Sequence, residues 1–167
     1  MSNGIAPPSW LPEMVSVNGD WASILTRLYS VFHADFVTST PRLKGLDVWH
    51  DRRKLEDNIE EGFWHITHVF DRRVQQRVFD PRRSERIPWC RPTMENEPQA
   101  EVQCWDYREG KGNIRTYVWL KDHDYIVVLE RKSMRRGDVY MLITAFYVEH
   151  ESYRRTLRRK YGQRVGP

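Results

Sequence analysis

The stretch from Ala100 to Val148 constrains this chain most, because four segments of alternating side-chain character are separated there by three short turns. Ala100–Arg108 sets Val102, Cys104 and Asp106 against Gln103, Trp105 and Tyr107. Glu109-Gly110-Lys111-Gly112-Asn113 is a glycine-rich hairpin loop, and Ile114–Leu120 is the returning strand. Turns at Lys121–Asp124 and Met134–Asp138 bound two more strands, Tyr125–Lys132 and Val139–Val148. A side-chain period of two puts successive residues on opposite faces, and connections this short join only antiparallel neighbours. The second half of the chain is therefore predicted to be a four-stranded antiparallel meander.

The flanks read as helix. Asp20 is a predicted N-cap, and Trp21, Ile24, Leu25, Leu28, Val31, Phe32 and Phe36 follow at helical spacing until Thr40-Pro41 stops them. Pro81 suits the first turn of a short helix over Arg82–Pro88. Glu149–Tyr161 begins acidic and ends basic, the polarity that a helix dipole favours. Leu43–His50 reads as a short strand, and Arg52–Ile59 as a turn or short helix. Residues 1–18, with Pro7, Pro8 and Pro12, are expected to be a flexible arm, with Trp10 and Leu11 as anchors. Helices and strands that segregate rather than alternate predict an α+β fold. It would consist of N-terminal helices, a four- to five-stranded antiparallel meander sheet and a C-terminal helix, forming one domain over residues 19–164.

Composition narrows the partner. The 167 residues carry 27 Lys+Arg against 23 Asp+Glu, a net charge of +4, with a sequence pI near 9.2. That balance leans towards an anionic partner. Arginine pairs recur at Arg52-Arg53, Arg72-Arg73, Arg82-Arg83 and Arg135-Arg136, interleaved with Trp and Tyr, which suits phosphates and unstacked bases. Two cysteines, Cys90 and Cys104, are too few for a disulfide framework. The N-terminus lacks the pattern of a signal peptide, and no apolar run approaches the roughly 20 residues of a membrane span. These features predict a cytoplasmic protein with no membrane partner.

Phe63–Phe70 (FWHITHVF) is β-branched and aromatic, and it reads as a strand carrying His65 and His68. Strand parity would place Phe63, His65, Thr67 and Val69 on one face and Trp64, Ile66, His68 and Phe70 on the other. The two histidines would then point apart, which spoils a shared metal. HExxH and CxxC motifs are absent, so no metal or other cofactor is expected. No GxSxG elbow marks a serine nucleophile. His65 is the better candidate for proton transfer, with Thr67 on its face. Thr144, a lone hydroxyl in an apolar strand, is a candidate to hold a phosphate oxygen.

The order FWHIT (63–67), RRSERIPW (82–89), DYIVVLERK (124–132) and YMLITAFYV (140–148) resembles the phage-associated branch of the BECR nucleases. That superfamily groups barnase, EndoU, the tRNA-cleaving colicins and RelE-type toxins. The resemblance spans roughly residues 45–162 and implies a curved antiparallel sheet with N-terminal helices on one side. It implies a metal-independent endoribonuclease that cleaves RNA, tRNA included, by 2′-OH attack to a 2′,3′-cyclic phosphate, in the setting of a toxin or phage-related effector. Carried over by position, His65 is the acid or base, Arg83, Arg86 and Lys132 meet the phosphate, and Thr144 orients it. Thr67, Arg72, Arg73, Arg82 and Tyr147 are expected to contact the RNA substrate. No second histidine matches the EndoU pair unless His68 serves. The helix over residues 20–37 has no counterpart. It is open as an extension, a homodimer surface or the docking face of an inhibitory antitoxin or immunity protein. The rival reading is a non-catalytic RNA- or protein-binding domain on the same fold.

Overall fold

The computed structural model describes residues 4–167. Its centre is a six-stranded mixed sheet in the order β1-β2-β8-β7-β6-β5. The meander forms as expected from β5 (Val102–Arg108), β6 (Ile114–Leu120), β7 (Tyr125–Met134) and β8 (Gly137–Tyr147), all antiparallel. The predicted sheet is nevertheless too small and too uniform. Leu43–His50 is a hairpin rather than one strand. Lys44 and Gly45 both take positive φ (51° and 80°) and fold β1 (Arg42–Leu43) onto β2 (Leu46–Trp49). β2 then pairs with β8 in parallel, Val48 opposite Tyr140 and Trp49 opposite Met141. A second, two-stranded sheet joins β3 (His68–Asp71) to β4 (Gln76–Phe79).

The alternation seen in the sequence sorts side chains onto two cores. One face of the sheet packs Val102, Val118, Leu120, Val127, Leu129 and Leu142 against helices α1 (Trp21–Phe32), α2 (Glu61–Thr67) and α4 (Cys90–Glu95), with the short α3 (Pro81–Ser84) lying in the chain between the last two. The other face packs Trp105, Tyr117, Trp119, Ile126 and Val128 against Leu157 of α5 (Glu151–Gly162). α1 starts where the sequence predicted, with the Asp20 carboxylate accepting from the Ser23 backbone N–H at 3.1 Å. Ile24, Leu28 and Phe32 form its buried stripe. A π turn at His33–Val37 then adds the extra backbone that lets Phe36 stack on Phe32 at 5.2 Å. The arm is tied down from Trp10 onwards: the Trp89 indole donates to the Pro12 carbonyl (2.8 Å) and the Val15 N–H to the Glu85 carbonyl (2.8 Å). Among the described residues no helix is long and apolar enough to cross a membrane. Cys90 and Cys104 are both free thiols.

Residues 61–67 are helical, which corrects the first five residues of the strand predicted over Phe63–Phe70; only His68–Phe70 are extended, in β3. A seven-residue helix is unstable alone, because its terminal N–H and C=O groups lack partners. Here the rest of the fold supplies them. At the start, the N–H groups of Glu61 and Gly62 donate to the carbonyls of Arg53 (2.8 Å) and Asp51 (2.9 Å). At the end, the Arg83 guanidinium donates to the carbonyls of His65 (3.0 Å) and His68 (2.8 Å). The Thr144 hydroxyl donates to the His65 carbonyl (2.9 Å), and the Ser84 hydroxyl to the Thr67 carbonyl (2.8 Å). Gly62 is needed for the fit, because a Cβ there would come within 2.8 Å of the His50 Cβ.

Candidate functional site

β2 and β8 part company after Trp49 and Met141. The chain leaves the sheet at His50, while β8 runs on alone along that side. Opposite Val128 and Leu129, β8 carries an extra residue, Ile143, because Val128 pairs with Thr144 and Leu129 with Leu142. The parting strands and this bulge leave a pocket of about 450 Å³. Trp49, His50, Asp51, Arg52, His65 and Ile143 are among its walls. α2 supplies His65 from one side, and the segment that caps the start of α2 supplies His50 to Arg52 from the other.

The histidine pair is therefore not the one that the sequence offered. His68 lies in an aromatic cage, its ring edge-on to Trp64 (4.9 Å), Phe79 (5.5 Å) and Trp21 (5.9 Å). The Thr67 hydroxyl gives its single proton to the Phe63 carbonyl (2.8 Å), so at 2.9 Å it accepts from His68 Nδ1. Burial, then Arg77 and Arg83, push the His68 imidazole down to about 4. His68 is a neutral structural group. His50, 15 residues from His65 in the chain, lines the same pocket as His65. Its ring packs edge-on against Phe32 at 5.1 Å. Burial, then Arg52, hold the His50 imidazole below its ordinary value.

His65 is one-third exposed. Its Nε2 lies 3.9 Å from Oε2 of Glu61, one turn earlier on α2, and its buried Nδ1 has no hydrogen-bond partner. The same Glu61 oxygen accepts from the Arg77 guanidinium at 2.9 Å. Burial first, and then Arg77, lower the His65 pKa against the opposing pull of Glu61. Two histidines whose imidazoles favour the neutral form thus line one cleft, His65 one-third exposed and His50 5% exposed with its ring against Phe32. A carboxylate stands behind one of them, and Arg52 sits above Trp49 at 5.9 Å from the ring centre.

Other residues carried over from the resemblance sit in different settings. Arg83 and Thr144 do converge on His65, but through its backbone carbonyl. The Arg83 side chain is 11% exposed, and one of its nitrogens also donates to the Thr144 hydroxyl at 3.2 Å. These two residues clamp α2 instead of facing a phosphate. Thr67 is fully buried, so it cannot touch a substrate. Arg86 pairs with Glu85 at 2.6 Å and stacks over Tyr147 at 4.0 Å. Arg82 reaches Glu149 at 3.1 Å across the same Tyr147. Arg72 and Arg73 lie exposed in the β3–β4 turn, with Arg73 on Asp71 at 3.2 Å. Lys132 is paired with Glu130 at 3.0 Å, and its register partner Val139 is five residues from Thr144, roughly 16 Å along the strand. Sequence reasoning missed His50, Glu61, Arg77 and Trp49. Of these, only the Glu61/His65 spacing of four was visible in the chain, and it carries meaning only once residues 61–67 are helical.

Among the described residues no group of three or more His, Cys, Asp or Glu side chains is gathered as metal ligands would be. Compared with known proteins, the chain matches no family model, no curated protein and no solved structure.

Proposed function

We propose that this protein is a cytoplasmic, metal-independent endoribonuclease that uses His50 and His65 as its proton-transfer pair. The observation that carries the reading is that His50 and His65 line one pocket together with Arg52 and Trp49. In the reaction, one neutral imidazole takes the proton of a ribose 2′-OH as the 2′-oxygen bonds to phosphorus. The other imidazole, protonated, gives its proton to the 5′-oxygen as the P–O5′ bond breaks, leaving a 2′,3′-cyclic phosphate. Glu61 favours an imidazolium at His65, and Arg52 offsets the charge that grows on the phosphate oxygens. The role is consistent with an RNA-cleaving effector that a second protein would hold in check.

Purified protein should cleave RNA in EDTA and leave cyclic-phosphate ends. His65→Ala and His50→Ala should each lose about 10²-fold or more in rate, with circular dichroism unchanged. A His65→Ala protein that cuts as fast as wild type would sink the mechanism. Because both imidazoles are held below their ordinary value of 6.5, the bell-shaped rate profile should be centred on the acid side of it.

The second reading, a non-catalytic RNA-binding domain, is favoured by the engagement of Arg83 and Arg86 with protein groups. RNA retention that falls with salt, without scission under any metal condition, would support it.

A further inference from the structure

A larger pocket, about 850 Å³, adjoins the histidine pocket, and Trp49 is a wall of both. It is built by the β7–β8 hairpin. β6 stops pairing with β7 at Leu129 and β2 starts on β8 only at Tyr140, so residues 132–139 run on as a two-stranded arm. The arm turns at Arg135-Arg136, where Gly137 takes φ +127°. The charges along this groove divide cleanly. Arg42 is paired with Asp47 (3.2 Å), Arg131 with Asp138 (2.9 Å) and Arg53 with Asp51 (2.6 Å). Arg52, Arg135 and Arg136 have no ion-pair partner among the described residues, and the two arm residues are exposed at its tip. From Val139 to Ile143, one residue in each pocket, is four residues of β8, about 13 Å.

We propose that this arm and Trp49 form a track for single-stranded RNA leading into the histidine pocket, with a base stacked on Trp49 and phosphates met by Arg135 and Arg136. The inference rests on the nuclease reading of that pocket and names its substrate as unpaired RNA. An indole with one unpaired guanidinium over its ring and two more in the adjoining groove suits a strand that presents phosphates and unstacked bases in turn. A duplex keeps its bases stacked on one another and cannot offer one to Trp49. An acidic peptide would satisfy the arginines but leave the indole unused.

The test uses a 2′-O-methyl RNA oligonucleotide, which lacks the attacking hydroxyl, so binding is measured apart from cleavage. The wild-type protein should bind the single strand at least tenfold more tightly than the same sequence as a duplex, and binding should quench tryptophan fluorescence. Arg135→Ala/Arg136→Ala, in an exposed turn, should weaken binding about tenfold. It should also lower the slope of log affinity against log salt by about 1.4, the value for two phosphate contacts at roughly 0.7 each. Equal affinity for duplex, an unchanged slope in the double variant, or equal competition by polyglutamate would each overturn the track. If the oligonucleotide binds as described but unmodified RNA is never cut, the nuclease reading fails and the track stands. If RNA is cut and the double variant binds like wild type, the track alone fails.

Discussion

The Glu61–His65–Arg77 cluster at the β8 edge and the Glu109–Tyr117–Lys160 cluster under α5 have the same ingredients: a carboxylate, a cation and a titratable ring. Their bonding differs. Lys160 donates to both Glu109 oxygens (2.9 and 3.1 Å) and to the Tyr117 hydroxyl (2.7 Å), and Tyr117 in turn donates to Glu109. Lys160 also sits 4.9 Å from the ring centres of both Tyr107 and Tyr117. Burial raises the Glu109 carboxyl, but the hydrogen bonds from Tyr117 and Lys160 outweigh it and hold it below its usual range. The other cluster is unfinished. His65 stands 3.9 Å from Glu61, and buried nitrogens of His65 and Arg77 lack partners. A closed polar network rigidifies a fold, whereas an unfinished one beside a pocket has donors and acceptors to offer a ligand.

The contrast breaks most sharply on activity. His65→Ala should cut RNA 10²- to 10⁴-fold more slowly with little loss of stability. Lys160→Met should leave the cleavage rate unaltered and lower the urea midpoint by the equivalent of about 2 kcal/mol, because the partly buried Glu109 loses its charged hydrogen bonds. If Lys160→Met abolished cleavage in a folded protein, the catalytic site would be on the wrong face of the sheet. Arg83→Met, expected to cost about 2 kcal/mol, strips charged hydrogen bonds from the end of α2 and should slow cleavage by disturbing His65. Thr144→Val removes one neutral bond to the same carbonyl and should cost about 1 kcal/mol. If Arg83→Met lost activity with α2 and stability undisturbed, Arg83 would be meeting substrate after all.

The gentlest probe is pH. His68 is held down to about 4 when folded, against an ordinary value of 6.5. Between those values the unfolded chain binds more protons, so stability should fall as pH drops from about 6.5 to about 4. His68→Phe, which keeps the contacts with Trp64 and Phe79, should flatten that part of the stability curve. An unchanged slope would mean that His68 is not the titrating group.

The α1 stripe, the four meander strands and the acidic-to-basic α5 were legible in the chain because each is a repeated local pattern on an element that buries one face. The sequence by itself thus determined the α+β class and the four-stranded meander. It did not determine residues 61–67, where aromatic and β-branched residues favour a strand, but the helix forms because distant groups satisfy its ends. Nor could it pair β2 with β8 in parallel across some 90 residues, since nothing local marks that contact. The histidine pair follows from both. His50 sits where β2 ends, and His65 sits on a helix that Arg83 and Thr144 hold against β8. Their shared pocket is a product of tertiary structure, because only packing brings those two short elements together.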